Sequence, residues 1–202
     1  MNKAVGGDEA RRQEILDAGL RVLIEKGWKG ASMLAIARQS NASKETLYNW
    51  FGDKAGFFEA LIRQNAAALD RSIAPDMEVL EGLRSFGQAL LDLLFGDASV
   101  ALNRVAIAEA GQDGKFGALL VAQGRAASMP VLTEFLRGHA AAGRLEIADF
   151  ARAGEDLLGL LKGDAQITRL LGVAPAPDRA QIAARADRAA HSFLKLYGTP
   201  PR

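Results

Sequence analysis

The side chains able to do chemistry crowd into one short stretch, Ser32–Lys54, which reads SMLAIARQSNASKETLYNWFGDK. It offers hydroxyls (Ser32, Ser43, Thr46), a carboxamide (Asn49), ammonium groups (Lys44, Lys54), a carboxylate (Glu45) and two rings with polar tips (Tyr48, Trp50). Such groups donate and accept hydrogen bonds; they are not a set for breaking covalent bonds. The rest of the chain adds no reactive constellation. Cysteine is absent, which excludes a disulfide framework, a thiolate zinc site and a cysteine nucleophile. His139 and His191 carry the only imidazoles and lie far apart in the chain, so a His-rich metal cage is excluded. No glycine-rich phosphate loop occurs. The expectation is no catalytic residue, no metal, no cofactor and no enzyme.

These groups must be held by helices. Strand alternation and hairpin turns are nearly absent, and Ala, Leu, Arg, Glu and Gln dominate. A first helix is predicted over Glu9–Lys26, with Ile15, Ala18, Gly19, Val22 and Leu23 on one face and Gly27 as its stop. Ser32 caps a second helix through Arg38 and Ser43 a third, Lys44–Trp50. Asp53 opens a fourth, Lys54–Ser72, with Phe57, Phe58, Leu61 and Ile62 as its apolar side. Further helices are predicted over Met77–Phe95, Ser99–Ala110, Lys115–Ala142 with Pro130 inside, and Asp149–Leu171. A ninth runs from Asp178 to Tyr197, with Gln181 completing a capping box. Lone Pro200 and Pro201 leave a frayed end. The fold class is all-α, about nine helices.

Two short helices joined by the turn Ser40-Asn41-Ala42 and packed on another make a helix-turn-helix. Asn41 tolerates positive φ better than most residues. The third helix is polar on its exposed side and aromatic at its end, which suits a probe. An exposed helix about 10 Å wide fits the DNA major groove while its neighbours grip the flanking phosphates. The charge distribution points the same way: the first 54 residues hold nine Lys/Arg against seven acids, the remainder 16 against 17.

The chain resembles the TetR/AcrR (tetracycline-repressor-like) family of bacterial transcription regulators. The resemblance rests on Ile15-Leu16-x-Ala18, Gly27-Trp28, Ser32, Ile36-Ala37, Ser43-Lys44-x-Thr46-Leu47-Tyr48-x-x-Phe51 and Asp53-Lys54. It implies a DNA-binding domain over 1–54 and an effector-binding and dimerisation domain over 55–202. By matching positions, Ser32 sits at a helix N-terminus, where its hydroxyl and the free amides hold phosphate, and Ser43, the cap of the third helix, is a further DNA-binding candidate. Lys44, Thr46 and Asn49 become candidates for base edges or nearby phosphate. Tyr48, Trp50 and Lys54 become candidates for the backbone grip, with Lys3, Arg11 and Arg12 adding contacts from the N-terminal arm. Glu45 stands where glycine is common in the family, and Trp50 where Tyr or His is common. A carboxylate is repelled by phosphate but accepts a hydrogen bond from cytosine N4. Asn103-Arg104-Val105-Ala106-Ile107-Ala108-Glu109, with Gly143-Arg144-Leu145 and Asp149, looks like the AefR-like subgroup, in which His is frequent where Asn103 stands.

The resemblance further implies an effector cavity among the middle helices. Phe86, Leu90, Leu94, Met129, Leu132, Phe135, Leu157 and Leu161 are its candidates, and the effector is expected to be small and largely apolar. The last two predicted helices carry the stripes Phe150, Ala153, Leu157, Leu160, Leu161 and Ile182, Ala186, Ala189, Phe193, Leu196, read as a homodimer surface. A palindromic double-stranded DNA operator is the expected partner. The N-terminus turns charged where a signal peptide needs an apolar stretch, and no apolar run approaches the roughly 18 residues of a membrane span, so the expected location is the cytoplasm. The alternative is a helical small-molecule-binding or interaction protein that has lost specific DNA binding; Glu45 and a net charge of only +1 leave room for it.

Overall fold

The structure, a computed structural model, describes residues 3–111 and 114–199. The Lys3 side chain, Pro200 and Pro201 lie outside the described residues. Ten α-helices carry the fold among those residues: α1 (Lys3–Gly30), α2 (Met33–Ser40), α3 (Lys44–Phe51), α4 (Lys54–Ala66), α5 (Val79–Phe95), α6 (Asp97–Glu109), α7 (Lys115–Ala141), α8 (Phe150–Lys162), α9 (Ala165–Leu170) and α10 (Arg179–Tyr197). A 3₁₀ turn, Leu69–Arg71, follows α4, where the sequence predicts helix through to Ser72. The chain folds as two compact units, Met1–Asn65 with Ala101–Gly124, and Ala66–Val100 with Arg125–Arg202. The first is larger than the 1–54 segment assigned to DNA reading, because the apolar faces of α1–α3 need Phe57, Phe58, Leu61, Leu102 and Phe116 to cover them.

In this first unit α1 breaks at Gly27, whose φ of 66° lies in the left-handed region that glycine adopts without strain. Asn41 also takes positive φ, 51°, and closes α2 with its N–H directed at the Ala37 and Arg38 carbonyls. Ser32 Oγ accepts from Ala35 N, and Ser43 Oγ accepts from Thr46 N, so both predicted caps form. Trp28 stacks on Phe116 with ring centroids 4.7 Å apart and tilts against Phe58.

The second unit is built on α5. Its Leu83, Phe86 and Leu91 are buried against α8 and α10. Gly87 lets those helices close in: a Cβ there would lie 2.8 Å from Leu161 Cδ2 and 3.1 Å from Ala186 Cβ. α7 runs through Pro130 as one helix. The predicted eighth helix is two, because Gly163 takes φ 47° and separates α8 from α9. Most of the stripe residues expected to face a partner are turned inward instead. Ala153, Leu157, Leu161, Ile182, Ala186, Ala189 and Phe193 are all buried within the single chain. Periodicity showed that these faces are covered; within the chain α10 packs on α5, α8 and α10 pack on each other, and α8 meets Met129 and Leu132 of α7 at Gly154.

His139 is only 3% exposed, packs edge-on against Phe135 and accepts from Arg144 Nε through Nδ1 at 2.7 Å. Burial pushes its pKa below the usual 6.5; Arg144 adds to this, and the Met77 backbone and Glu78 partly offset it. The unfolded chain thus binds this proton more readily than the native one. The stabilisation is fully present above the free-imidazole value and is lost as pH falls through the lowered native one. We expect the thermal midpoint of the second unit to drop between pH 7 and pH 5, and His139→Phe to flatten that fall; equal slopes would remove His139 as its cause.

Candidate nucleic-acid interface

α3 has only eight residues, and their spacing divides them cleanly. Leu47 and Phe51 are buried, while Lys44, Glu45, Tyr48 and Asn49 are exposed. Positions four apart share a helix face, so Lys44 with Tyr48 and Glu45 with Asn49 form one outward surface. Tyr48, 49% exposed, spends most of its ring outside the core. This is a helix fastened by its apolar side and offered by its polar one.

The remaining predicted contacts divide. Ser32 and Ser43 are exposed at the starts of α2 and α3, each already accepting a backbone N–H of its own helix. Thr46 is half-buried and its Oγ1 lies 2.9 Å from Ser43 Oγ, so the pair forms a closed hydroxyl cap. Trp50 is half-buried, against Phe51 on one side and beside a cavity of about 250 Å³ shared with Asp8, Glu9 and Arg12 on the other. Lys54 turns inward: its Nζ donates to the Trp28 carbonyl and lies 3.9 Å from the centre of the Trp28 ring. That cation is committed to its own unit, and the structure does not place it on the α3 face.

Two arginines carry more of the site than their sequence positions suggest. Arg11 Nη2 donates to the carbonyls of Ser40 at 2.8 Å and Asn41 at 3.1 Å, tying α1 to the turn; its Nη1 pairs with Glu14. The Arg12 guanidinium sits 4.8 Å from the Phe51 ring centre. Arg38, which the sequence reading passed over, is exposed near the end of α2 and makes no hydrogen bond or ion pair among the described residues.

The candidate effector residues lie in the second unit. Phe86, Leu90, Leu132, Phe135, Leu157 and Leu161 are buried core, and Leu94 and Met129 are half-buried against it. Phe135 also lines a cavity of about 250 Å³ with Ile73, Pro75, Val131 and Glu134. Met129 packs against Gly154 on α8. Among the described residues no group of three metal-ligating side chains comes together, and no helix is long and apolar enough to cross a membrane.

Known proteins match both halves. Residues 15–61 match the family described as "Bacterial regulatory proteins, tetR family", and residues 81–199 match the "AefR-like transcriptional repressor, C-terminal domain". The HTH-type transcriptional regulator BetI of Burkholderia ambifaria is 33% identical over 93 residues, 44% of this chain and 48% of that protein. The chain thus spans about half the length of the curated relatives it matches first. A TetR transcriptional regulator from Agrobacterium tumefaciens, known as a crystal structure, is 38% identical with a TM-score of 0.74, over 93% of this chain and 95% of that one. The Flavonoid-responsive Regulator FrrA is 26% identical with a TM-score of 0.74, over 96% of this chain and 100% of its own. An outward polar helix on a helix-turn-helix scaffold, with matches of this kind, places the chain in a family of transcriptional regulators. The chain belongs to the TetR family and carries an AefR-like C-terminal domain.

Proposed function

We propose that this protein is a ligand-released repressor that binds a palindromic operator as a homodimer. The observation that carries the reading is the two-sided α3, with Leu47 and Phe51 buried and Lys44, Glu45, Tyr48 and Asn49 outward. In this reading Lys44, Thr46 and Asn49 meet base edges or nearby phosphate, while Ser32, Ser43, Tyr48 and Trp50 hold the backbone. Lys54 acts by fixing Trp28. Two copies of α3, one per protomer, would enter successive major grooves about 34–36 Å apart. Dimerisation runs through the outer faces of α8 and α10, where Leu160 and Leu196 remain exposed. The effector enters the second unit near Phe135 and Met129, and FrrA, by its name flavonoid-responsive, supports a ligand-responsive reading. A ligand that prefers dimers with a wider α3 spacing weakens DNA binding by its differential affinity for the two states.

A gel shift on the DNA flanking the protein's own gene, over a salt series, tests this. Specific binding whose constant falls steeply with salt is the expected result, because each phosphate contact releases counterions. Binding confined to very low salt would instead support a ligand-binding protein without operator specificity, the reading that the outward Glu45 favours. Glu45 carries its own expectation. On an operator library the protein prefers C·G at one position of each half-site, and Glu45→Gly loses that preference, by about 1–3 kcal/mol per half-site. An unchanged base profile would reject the role.

A further inference from the structure

A second cavity, of about 410 Å³, lies within the C-terminal unit between α9, the segment Ala174–Pro177 and the first half of α10. That volume lies in the range of small-molecule sites, about 300–1,000 Å³. Its wall is unusual in charge: Arg169, Arg185 and Arg188 all line it, and no carboxylate does. Arg169 donates to Asp97 at 2.8 Å, but Asp97 is almost fully exposed, so solvent screens the pair. Arg185 uses one nitrogen, Nη1, on the carbonyls of Lys162 at 3.1 Å and Leu161 at 3.4 Å, which fixes its fork without supplying a full negative charge. Arg188 makes no hydrogen bond or ion pair among the described residues. Asp187, its neighbour in sequence, is taken by Arg84.

Arg185 and Arg188, three positions apart on α10, share a helix face, where like charges repel. The fold thus holds two guanidinium groups at one cavity with no carboxylate of the cavity wall to pair with them. Guanidinium forks match the two oxygens of a carboxylate, and a charge-assisted pair there would relieve the repulsion. The other wall is apolar: Phe95, Ala165, Pro175, Pro177 and Ile182. We propose that this cavity is a binding site for a small organic anion, a carboxylate carried on an apolar body. Arg188 and Arg185 hold the carboxylate, and Phe95, Ile182 and the two prolines cover the body. This site lies apart from the Phe135 cavity assigned to the effector and does not depend on the operator reading.

Isothermal titration of the full chain, without DNA, tests it with octanoate, octan-1-ol and inorganic phosphate as probes. Octanoate is expected to bind saturably at one site per chain, with octan-1-ol and phosphate each about tenfold weaker or more, since each lacks one half of the recognition. Arg188→Gln should weaken octanoate by about tenfold, because it removes a charged donor that no protein group uses. Arg185→Gln should do likewise but also strips the end of α8, so Arg188→Gln is the deciding variant. Arg63→Gln, on the exposed side of α4, should change nothing. Octanoate affinity unaltered by Arg188→Gln, no saturable octanoate binding, or octan-1-ol binding as tightly as octanoate would each overturn the proposal; phosphate binding as tightly would overturn the apolar-body assignment.

Discussion

Leu47→Ala is expected to destabilise the N-terminal unit by about 2–5 kcal/mol and to abolish DNA binding at temperatures where the rest of the chain stays folded. Leu47 is fully buried among Ile36, Phe51 and Phe57 in the core of that unit. Truncating it removes a large apolar group and leaves a cavity that close-packed neighbours fill only in part. The cost falls on the element least able to bear it. An eight-residue helix has negligible stability of its own. α3 is held by Leu47, Phe51 and its Ser43 cap, so losing one anchor releases the face that reads DNA. The measurement is direct, because both tryptophans, Trp28 and Trp50, belong to this unit. Their fluorescence in a urea titration follows the N-terminal unit alone, while far-ultraviolet circular dichroism follows the whole. The expected result is an earlier tryptophan transition with a later dichroism transition left in place. A loss of less than about 1 kcal/mol, or a single transition shifted as a whole, would show that α3 does not depend on Leu47 in this way.

Local signals were legible in the sequence where a residue's partner is near in the chain. The Ser32, Ser43 and Asp178 caps, the Gly27 stop, the positive φ of Asn41 and the inward Phe57, Phe58 and Leu61 follow from spacing and residue type, and the structure has each of them. Distant partners were not legible. Whether Gly163 continues a helix or leaves it depends on what satisfies the freed carbonyls of Leu161 and Lys162. The answer is Arg185, more than twenty positions away. The amphipathic stripes of α8 and α10 announced buried faces without saying that the two would pack on each other and on α5 and α7 of the same chain. Lys54 read as an outward cation because nothing in a sequence places the Trp28 carbonyl beside it. Arg11 read as an arm for the same reason, although its guanidinium fastens the Ser40–Asn41 turn.

The polar side of α3 allows the complementary experiment, in which recognition fails and stability does not. Lys44 and Asn49 are exposed and belong to no core cluster, so Lys44→Ala and Asn49→Ala should leave the tryptophan transition within about 0.5 kcal/mol of the parent. Their effect on DNA should be large. A carboxamide placed on a base edge discriminates by about 1–3 kcal/mol, and a homodimer makes each contact twice. Asn49→Ala is therefore expected to cost about 2–6 kcal/mol of operator affinity while flattening base preference at one symmetric pair of positions. Lys44→Ala separates its two candidate roles by salt. If Lys44 holds phosphate, the slope of log K against log salt becomes shallower by about 0.9 per contact, nearly two for the dimer, and weakening is uniform across sequences. If it reaches a base edge, the slope stays and the sequence preference changes. Operator affinity within about threefold of the parent for both variants would remove Lys44 and Asn49 as reading groups and leave Glu45 and Tyr48 as the exposed side chains of α3 to carry that role.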